Sequence, residues 1–255
     1  MVMAMVVTIM TPIVGVVGRA VRWIVGVVVR RTVRWVARAW VIPMMPTMAM
    51  AAELAERGYV TLAPDSITAG DRIDKFGAFD TRGHYLRCPG LSAMGKMLHD
   101  AQRAIDVLEA SADVDAERIG AIGHSLGAEE AVLLAAFDQR VRACVASCGY
   151  ATLAAESNRL CWARDEWFSY MPKLRPLLLR GKLPGWDWDD VIRLIAPRAF
   201  FQYTADNDQI FPESRSAHQA ALAAGDAWSL YNASERFTAR LGAVNRSEAL
   251  YKLHA

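Results

Sequence analysis

The chain has 255 residues, with 29 Lys and Arg against 27 Asp and Glu, and a formal net charge of +2. This length suits one α/β domain with a sizeable core. A nearly neutral chain without a basic cluster after residue 50 argues against a nucleic-acid partner. We therefore expect one folded domain over residues 51–255 and no binding of nucleic acid.

The first fifty residues differ from the rest in composition. They contain no Asp, Glu, Lys, Ser or Leu, and the first acidic residue is Glu53. Residues 1–18 are apolar, uncharged and followed by several arginines, so they could contact or span a membrane. Alternatively, the Val-rich residues 23–29 form a buried strand. We treat residues 1–50 as an atypical segment, either a strand or a membrane or targeting segment, and otherwise expect a cytoplasmic protein.

After residue 50, short apolar runs alternate with longer helical patterns. This alternation predicts βαβ units and the α/β class, with a mostly parallel central sheet and helices on both faces. The predicted helices cover residues 51–57, 95–110 and 126–137, and the predicted strands cover residues 59–63, 118–122, 141–147 and 198–203. Residues 66–90 form a polar connection long enough to be a functional loop.

One motif lies between a predicted strand and a predicted helix: Gly123-His124-Ser125-Leu126-Gly127. This setting is typical of a nucleophile elbow, whose glycines avoid crowding the strand and the helix. Such a turn exposes the Ser125 hydroxyl and directs the Leu126 N–H towards the charge that develops on a substrate carbonyl. We predict Ser125 as nucleophile and Leu126 as oxyanion donor, with a purely structural Gly-rich turn as the alternative.

A serine nucleophile needs a base and a carboxylate that orients the base. Asp208 follows the predicted strand 198–203 by a few residues and is the preferred carboxylate. Asp206 is the competing candidate, although it could instead cap the turn. No set of metal ligands and no Gly-rich nucleotide loop is visible, so we expect neither a metal nor a cofactor.

Residues 51–212 resemble the dienelactone-hydrolase-like and acetyl-xylan-esterase-like branch of the α/β hydrolases. The resemblance rests on residues 54–65, residues 194–198 and the run Asp208-Gln209-Ile210-Phe211-Pro212. It implies the α/β-hydrolase fold and the hydrolysis of a small-molecule carboxylic ester by two-step acyl transfer. It also implies that Asp208 is the catalytic acid.

The resemblance does not supply the base, because Glu235 stands where the family's Gly-His-x-Phe-like segment has its catalytic histidine. His84 and His99 precede Ser125, and His124 lies inside the elbow. His218 is expected on the surface of a helix. His254 is late enough in the chain to serve as the base.

The alternative is a chain without a histidine base, which would act only as a binding scaffold. Residues 27–32 also lack the His-Gly turn that supplies the second oxyanion donor in the family. Frame-shifted or chimeric ends would explain both departures.

Several aromatic residues follow the strand 141–147, where this fold usually builds a pocket wall. They could stack on a sugar or an aryl group, or they could belong to the core. They include Trp162, Trp167, Tyr170, Trp186 and Trp188.

Overall fold

The computed structural model describes residues 2–9, 46–158, 160–165 and 167–245. Within these residues, six parallel strands form one sheet in the order β2-β1-β3-β4-β5-β6. The strands are β1 (Val2–Ile9), β2 (Val60–Leu62), β3 (Val114–His124), β4 (Val141–Ser147), β5 (Ala199–Asn207) and β6 (Phe237–Asn245).

Helices connect the strands. They are α1 (Pro46–Glu56), α2 (Arg82–Arg87), α3 (Ala93–Glu109), α4 (Leu126–Phe137), α5 (Arg175–Leu178), α6 (Trp188–Arg193), α7 (Ser214–Ala224) and α8 (Asp226–Leu230). None of the helices in the described ranges is both long and apolar enough to cross a membrane.

Both faces of the sheet are covered. On one face, Met50 and Leu54 of α1 pack with Ile122 of β3. On the other, the larger core contains Ile105 of α3 and Leu134 of α4. Since neighbouring residues of a strand point to opposite faces, β3 contributes Ala121 to the larger core and Ile122 to the smaller one. The predicted fold class is confirmed.

The first strand comes earlier in the chain than the sequence suggested. Val2–Ile9 lies inside the sheet between β2 and β3, with Ile9 beside His124. The described part of the possible membrane segment 1–18 is therefore a strand of the central sheet, and the change of composition at residue 50 does not bound this sheet. The alternative strand at residues 23–29 lies outside the described residues.

Most predicted elements after residue 50 agree with the structure to within a few residues, and α4 and β4 have the predicted bounds. The strand β6 was not predicted. It pairs with β5, and its last residue Asn245 lies beside Asn207. Because the strands are parallel, the chain leaves β6 at the same edge of the sheet at which it leaves β3 and β5.

Candidate active site

Ser125 lies in the turn between β3 and α4. Its φ is +59° and its ψ is −131°, a region that non-glycine residues rarely adopt. The Ser125 N–H donates to the Ser147 carbonyl at 2.9 Å, and the Ser125 carbonyl accepts from Ala128 N at 2.8 Å. The predicted strand–turn–helix arrangement is therefore present, and hydrogen bonds on both sides of Ser125 hold its backbone.

The neighbouring strand β4 supports this turn. Ser147 accepts from the Ser125 N–H, and its hydroxyl lies 3.1 Å from His124 Nδ1. Cys148, directly after β4, also has a positive φ of 51°, and its N–H donates to the Tyr203 carbonyl at 2.9 Å. Two adjacent strands thus end in strained residues at the same edge of the sheet.

Gly149 packs closely against the Ser125 turn, a role that the sequence analysis missed. A Cβ at this position would lie 2.9 Å from Ala128 Cβ and 3.3 Å from the Ser125 carbonyl oxygen. Real Cβ atoms essentially never approach a neighbour within 3.0 Å. The Ser-Cys-Gly sequence after a buried strand was the available signal, since a glycine there indicates a close backbone approach.

Leu126 is the first residue of α4, and its side chain is buried. The first N–H groups of a helix have no carbonyl one turn earlier to which they can donate. The positive end of the helix dipole also lies at this terminus. An N–H group in this position can donate to a negative charge that develops beside Ser125.

Asp208 follows β5 directly and is 5% exposed. Its Oδ1 accepts from Ile210 N at 2.9 Å and from Phe211 N at 3.1 Å, which fixes the carboxylate. Since β4 separates β3 from β5, Ser125 and Asp208 leave the sheet two strand spacings apart, about 10 Å. A gap of this size can hold an imidazole ring between the two side chains.

Asp206, the competing carboxylate, is engaged elsewhere. Arg215 Nη2 donates to its Oδ2 at 2.6 Å, in an ion pair on the surface. Asp206 is therefore paired on the surface, whereas Asp208 is held by backbone N–H groups.

A small cavity of about 10 Å³ lies beside Asp208, with room for about one water molecule. Its polar lining includes Tyr150 and Gln202, and the Tyr150 hydroxyl donates to Gln202 Oε1 at 2.6 Å. Burial raises the pKa of Tyr150, so its hydroxyl stays protonated. Within the described part of the chain, no group of three or more His, Cys, Asp or Glu side chains could hold a metal ion.

Four of the five histidines lie in the described residues. His84 is buried, with Nε2 2.8 Å from the Leu91 carbonyl, and His99 lies on the surface of α3. His124 contacts Ser147, as described above. His218 of α7 is half-buried rather than exposed as expected, and burial lowers its pKa. His254 lies outside the described residues.

Glu235 does not occupy the position of the family's histidine. It lies in the 3₁₀ helix Ser234–Arg236, before β6, whereas that histidine should follow the last strand. Its side chain is 69% exposed and lies 3.5 Å from the guanidinium of Arg236. The expectation for Glu235 was wrong because the sequence pattern did not reveal β6, and the residues that follow β6 lie outside the described residues.

In the described sheet, the strand beside β3 is β1. The second oxyanion donor of the family was sought in residues 27–32, and its position stays a prediction. Neither residues 27–32 nor the residues directly after Ile9 lie in the described ranges.

The aromatic residues divide into two groups. Trp162, Tyr170 and Trp188 are at most 3% exposed, so for these three the core interpretation is correct. Trp167, in contrast, is 46% exposed.

Known proteins resemble this chain in sequence and in structure. The model of the family described as "Dienelactone hydrolase family" matches residues 27–160. The "Putative hydrolase YtaP" of Bacillus subtilis (strain 168) is 28% identical over 168 residues, which are 66% of this chain and 53% of that protein.

Solved structures show the same fold. The catalytic domain of a glucuronoyl esterase from Hypocrea jecorina has a TM-score of 0.60 at 18% identity, covering 78% of this chain and 60% of that one. A "putative acetyl xylan esterase" from Bacteroides fragilis NCTC 9343 has a TM-score of 0.53 at 17% identity, covering 76% and 49%. The chain thus spans only about half to three fifths of these relatives. The resemblance inferred from residues 51–212 is confirmed.

Proposed function

Because this chain belongs to the dienelactone hydrolase family, whose model matches more than half of it, we propose that it hydrolyses small-molecule carboxylic esters through an acyl-enzyme formed on Ser125. The observation that carries the proposal is the strained backbone of Ser125 at the start of α4, with the fixed carboxylate of Asp208 at the same edge of the sheet.

In the first step, the Ser125 hydroxyl oxygen attacks the ester carbonyl carbon and loses its proton to a base. The Leu126 N–H donates to the oxygen that becomes negative. The base then passes the proton to the leaving alcohol as the carbon–oxygen bond breaks. In the second step, water releases the acid by the same sequence of transfers.

We propose His254 as the base. The chain leaves β6 beside the end of β5, where Asp208 follows. His254 comes nine residues after Asn245, and an extended segment of this length spans up to about 30 Å. It can therefore reach the space between Ser125 and Asp208 without any change in the sheet.

The test is the hydrolysis of 4-nitrophenyl acetate by the wild-type chain and by the variants Ser125→Ala and His254→Asn. We expect both variants to lose nearly all activity above the uncatalysed rate. Arg103→Ala, on the exposed side of α3, is the control and should match the wild type.

The outcomes separate the parts of the proposal. Full activity of Ser125→Ala would contradict the nucleophile, and full activity of His254→Asn would contradict only the base. A folded wild-type chain without activity would instead favour the binding scaffold.

A further inference from the structure

Phe79, Arg164, Trp167 and Phe168 form a partly exposed surface, which we call the Trp167 platform. The guanidinium carbon of Arg164 lies 4.8 Å from the centre of the Trp167 ring. The Phe168 ring lies 5.3 Å from the same indole, and Phe79 meets it edge-on at 6.5 Å. The platform thus presents a half-exposed indole with a cation beside it.

The backbone holds this platform firmly. Trp167 forms an antiparallel bridge with Asp80, and the Phe168 N–H donates to the Phe79 carbonyl at 2.9 Å. Phe79 and Phe168 both have a φ of +61°, which is unusual for bulky residues. Such strain persists only where the surroundings enforce it, and it is concentrated at functional sites. The connection between β2 and α2, which supplies Phe79, therefore helps to shape this surface.

A continuous series of ring contacts joins the platform to Asp208. Phe168 lies 5.2 Å from Trp162, and Trp162 stacks on Phe211 at 5.8 Å. The Phe211 N–H donates in turn to Asp208 Oδ1. The platform is thus packed onto the same edge of the sheet as the candidate nucleophile and acid.

Among residues 46–158, 160–165 and 167–245, no carboxylate lies within ion-pair distance of the Arg164 guanidinium. Its positive charge acts at longer range on the Glu156 carboxyl and on the Cys161 thiol, favouring the ionised form of each. An arginine that lies over an indole presents a flat fork of donors, which suits a carboxylate, while the indole suits a flat ring.

We propose that the Trp167 platform binds the part of the ester that carries a ring with a negatively charged substituent. The ring stacks on Trp167, and its carboxylate pairs with Arg164. This inference rests on the proposed ester hydrolysis and names the substrate class for the same site. A benzoate and a uronic acid share this chemistry.

Binding to the Ser125→Ala protein tests the inference without catalysis. Calorimetry would compare benzoate with benzamide, and glucuronate with glucose, as charged and neutral pairs. We expect at least one of the acids to bind more tightly than its neutral partner, and the acid that does so identifies the ring. Adding Arg164→Gln should reduce that preference about 5-fold. Adding Trp167→Ala should weaken binding of both members of the pair about 5-fold, and Trp167→Phe should restore most of it.

Turnover gives the matching kinetic test in the wild-type chain. The ratio of kcat/KM for 4-acetoxybenzoate over 4-acetoxybenzamide should fall about 5-fold in Arg164→Gln. Tyr231→Ala, which removes an exposed aromatic residue near the other edge of the sheet, is the control and should leave the ratio unchanged.

The inference is overturned if neither acid is preferred over its neutral partner, or if Arg164→Gln keeps the full preference. Failure of this inference can be distinguished from failure of the proposed function. If the wild-type chain hydrolyses 4-nitrophenyl acetate but shows no charge preference, the platform proposal fails and the esterase proposal stands. Selective binding of an acid without turnover would support ligand binding by the Trp167 platform and contradict the proposed ester hydrolysis.

Discussion

The two edges of the sheet hold their polar groups differently. At the carboxyl edge, Ser125 and Cys148 have strained backbones, and the described residues enclose a cavity of about 10 Å³ beside Asp208. At the amino edge, a cleft of about 660 Å³ is lined by Arg142, Arg198 and other side chains.

The larger cleft does not have the character of a reaction site. Arg142 pairs with Glu117 at 2.5 Å, and the guanidinium of Arg198 donates to four backbone carbonyls. Its charged groups are thus already used in holding chain segments together. In the proposed function, strain and a helix N-terminus mark the reaction site, whereas cavity volume does not, and the following variants test that difference.

The largest effect should come from the carboxylate at the carboxyl edge. Asp208→Asn keeps the shape but cannot stabilise a protonated base, so kcat should fall about 10⁴-fold. The matched control is Asp206→Asn, two residues away, which loses only the surface pair with Arg215 and should keep its activity. Steady-state kinetics would contradict the assignment if the two variants exchanged these results.

The next effect concerns the packing behind Ser125. Gly149→Val forces side-chain atoms into the Ser125 turn, which should lower the free energy of unfolding by about 1–3 kcal/mol and also reduce kcat. Gly90→Ala is the control, since nothing lies within 4 Å of an added Cβ there. Thermal melts and kinetics on both variants check this, and equal stability of the two would show that the close approach is not important.

Glu130, buried in α4, should make stability depend on pH. Burial, aided by the nearby charge of Asp100, raises its pKa to about 8 from 4.5. Between these values the folded chain keeps the proton and the unfolded chain loses it. The free energy of unfolding should therefore fall by about 1.4 kcal/mol per pH unit from this group as the pH rises.

Glu130→Gln removes this slope because an amide does not titrate. The melting temperature of the variant, relative to the wild type, should rise between pH 5 and pH 8. A difference that stays constant over this range would mean that Glu130 is ionised in the folded chain at neutral pH.

The smallest effect should come from the amino edge. Arg142→Ala breaks an exposed pair with Glu117, which contributes less than about 1 kcal/mol. In thermal melts and steady-state kinetics, the free energy of unfolding should change little and kcat should not change. A large loss of kcat would mean that the amino edge takes part in the reaction.

The sequence was sufficient for the elements whose local signals agree. The Ser125 turn combines a strand, two glycines and a helix in one short segment, and Asp208 follows a clear apolar strand. The fold class follows from the alternation of these elements.

The first strand could not be located in the same way. A strand covered on both faces is a continuous apolar run, and residues 2–9, 13–17 and 23–29 all have this character. Only pairing with β2 and β3 selects Val2–Ile9. The close packing of Gly149 and the position of Glu235 before β6 were missed for a similar reason. Each depends on contacts between segments that are distant in the chain.

The most direct test of the central claim is labelling of the full chain with a fluorophosphonate, followed by peptide mass spectrometry. An activated serine forms a covalent phosphonyl ester, whereas an ordinary serine hydroxyl does not react. We expect one label per chain, on the peptide that contains Ser125, and none in Ser125→Ala. An unlabelled wild-type chain, or a label on another serine that persists in Ser125→Ala, would contradict the account.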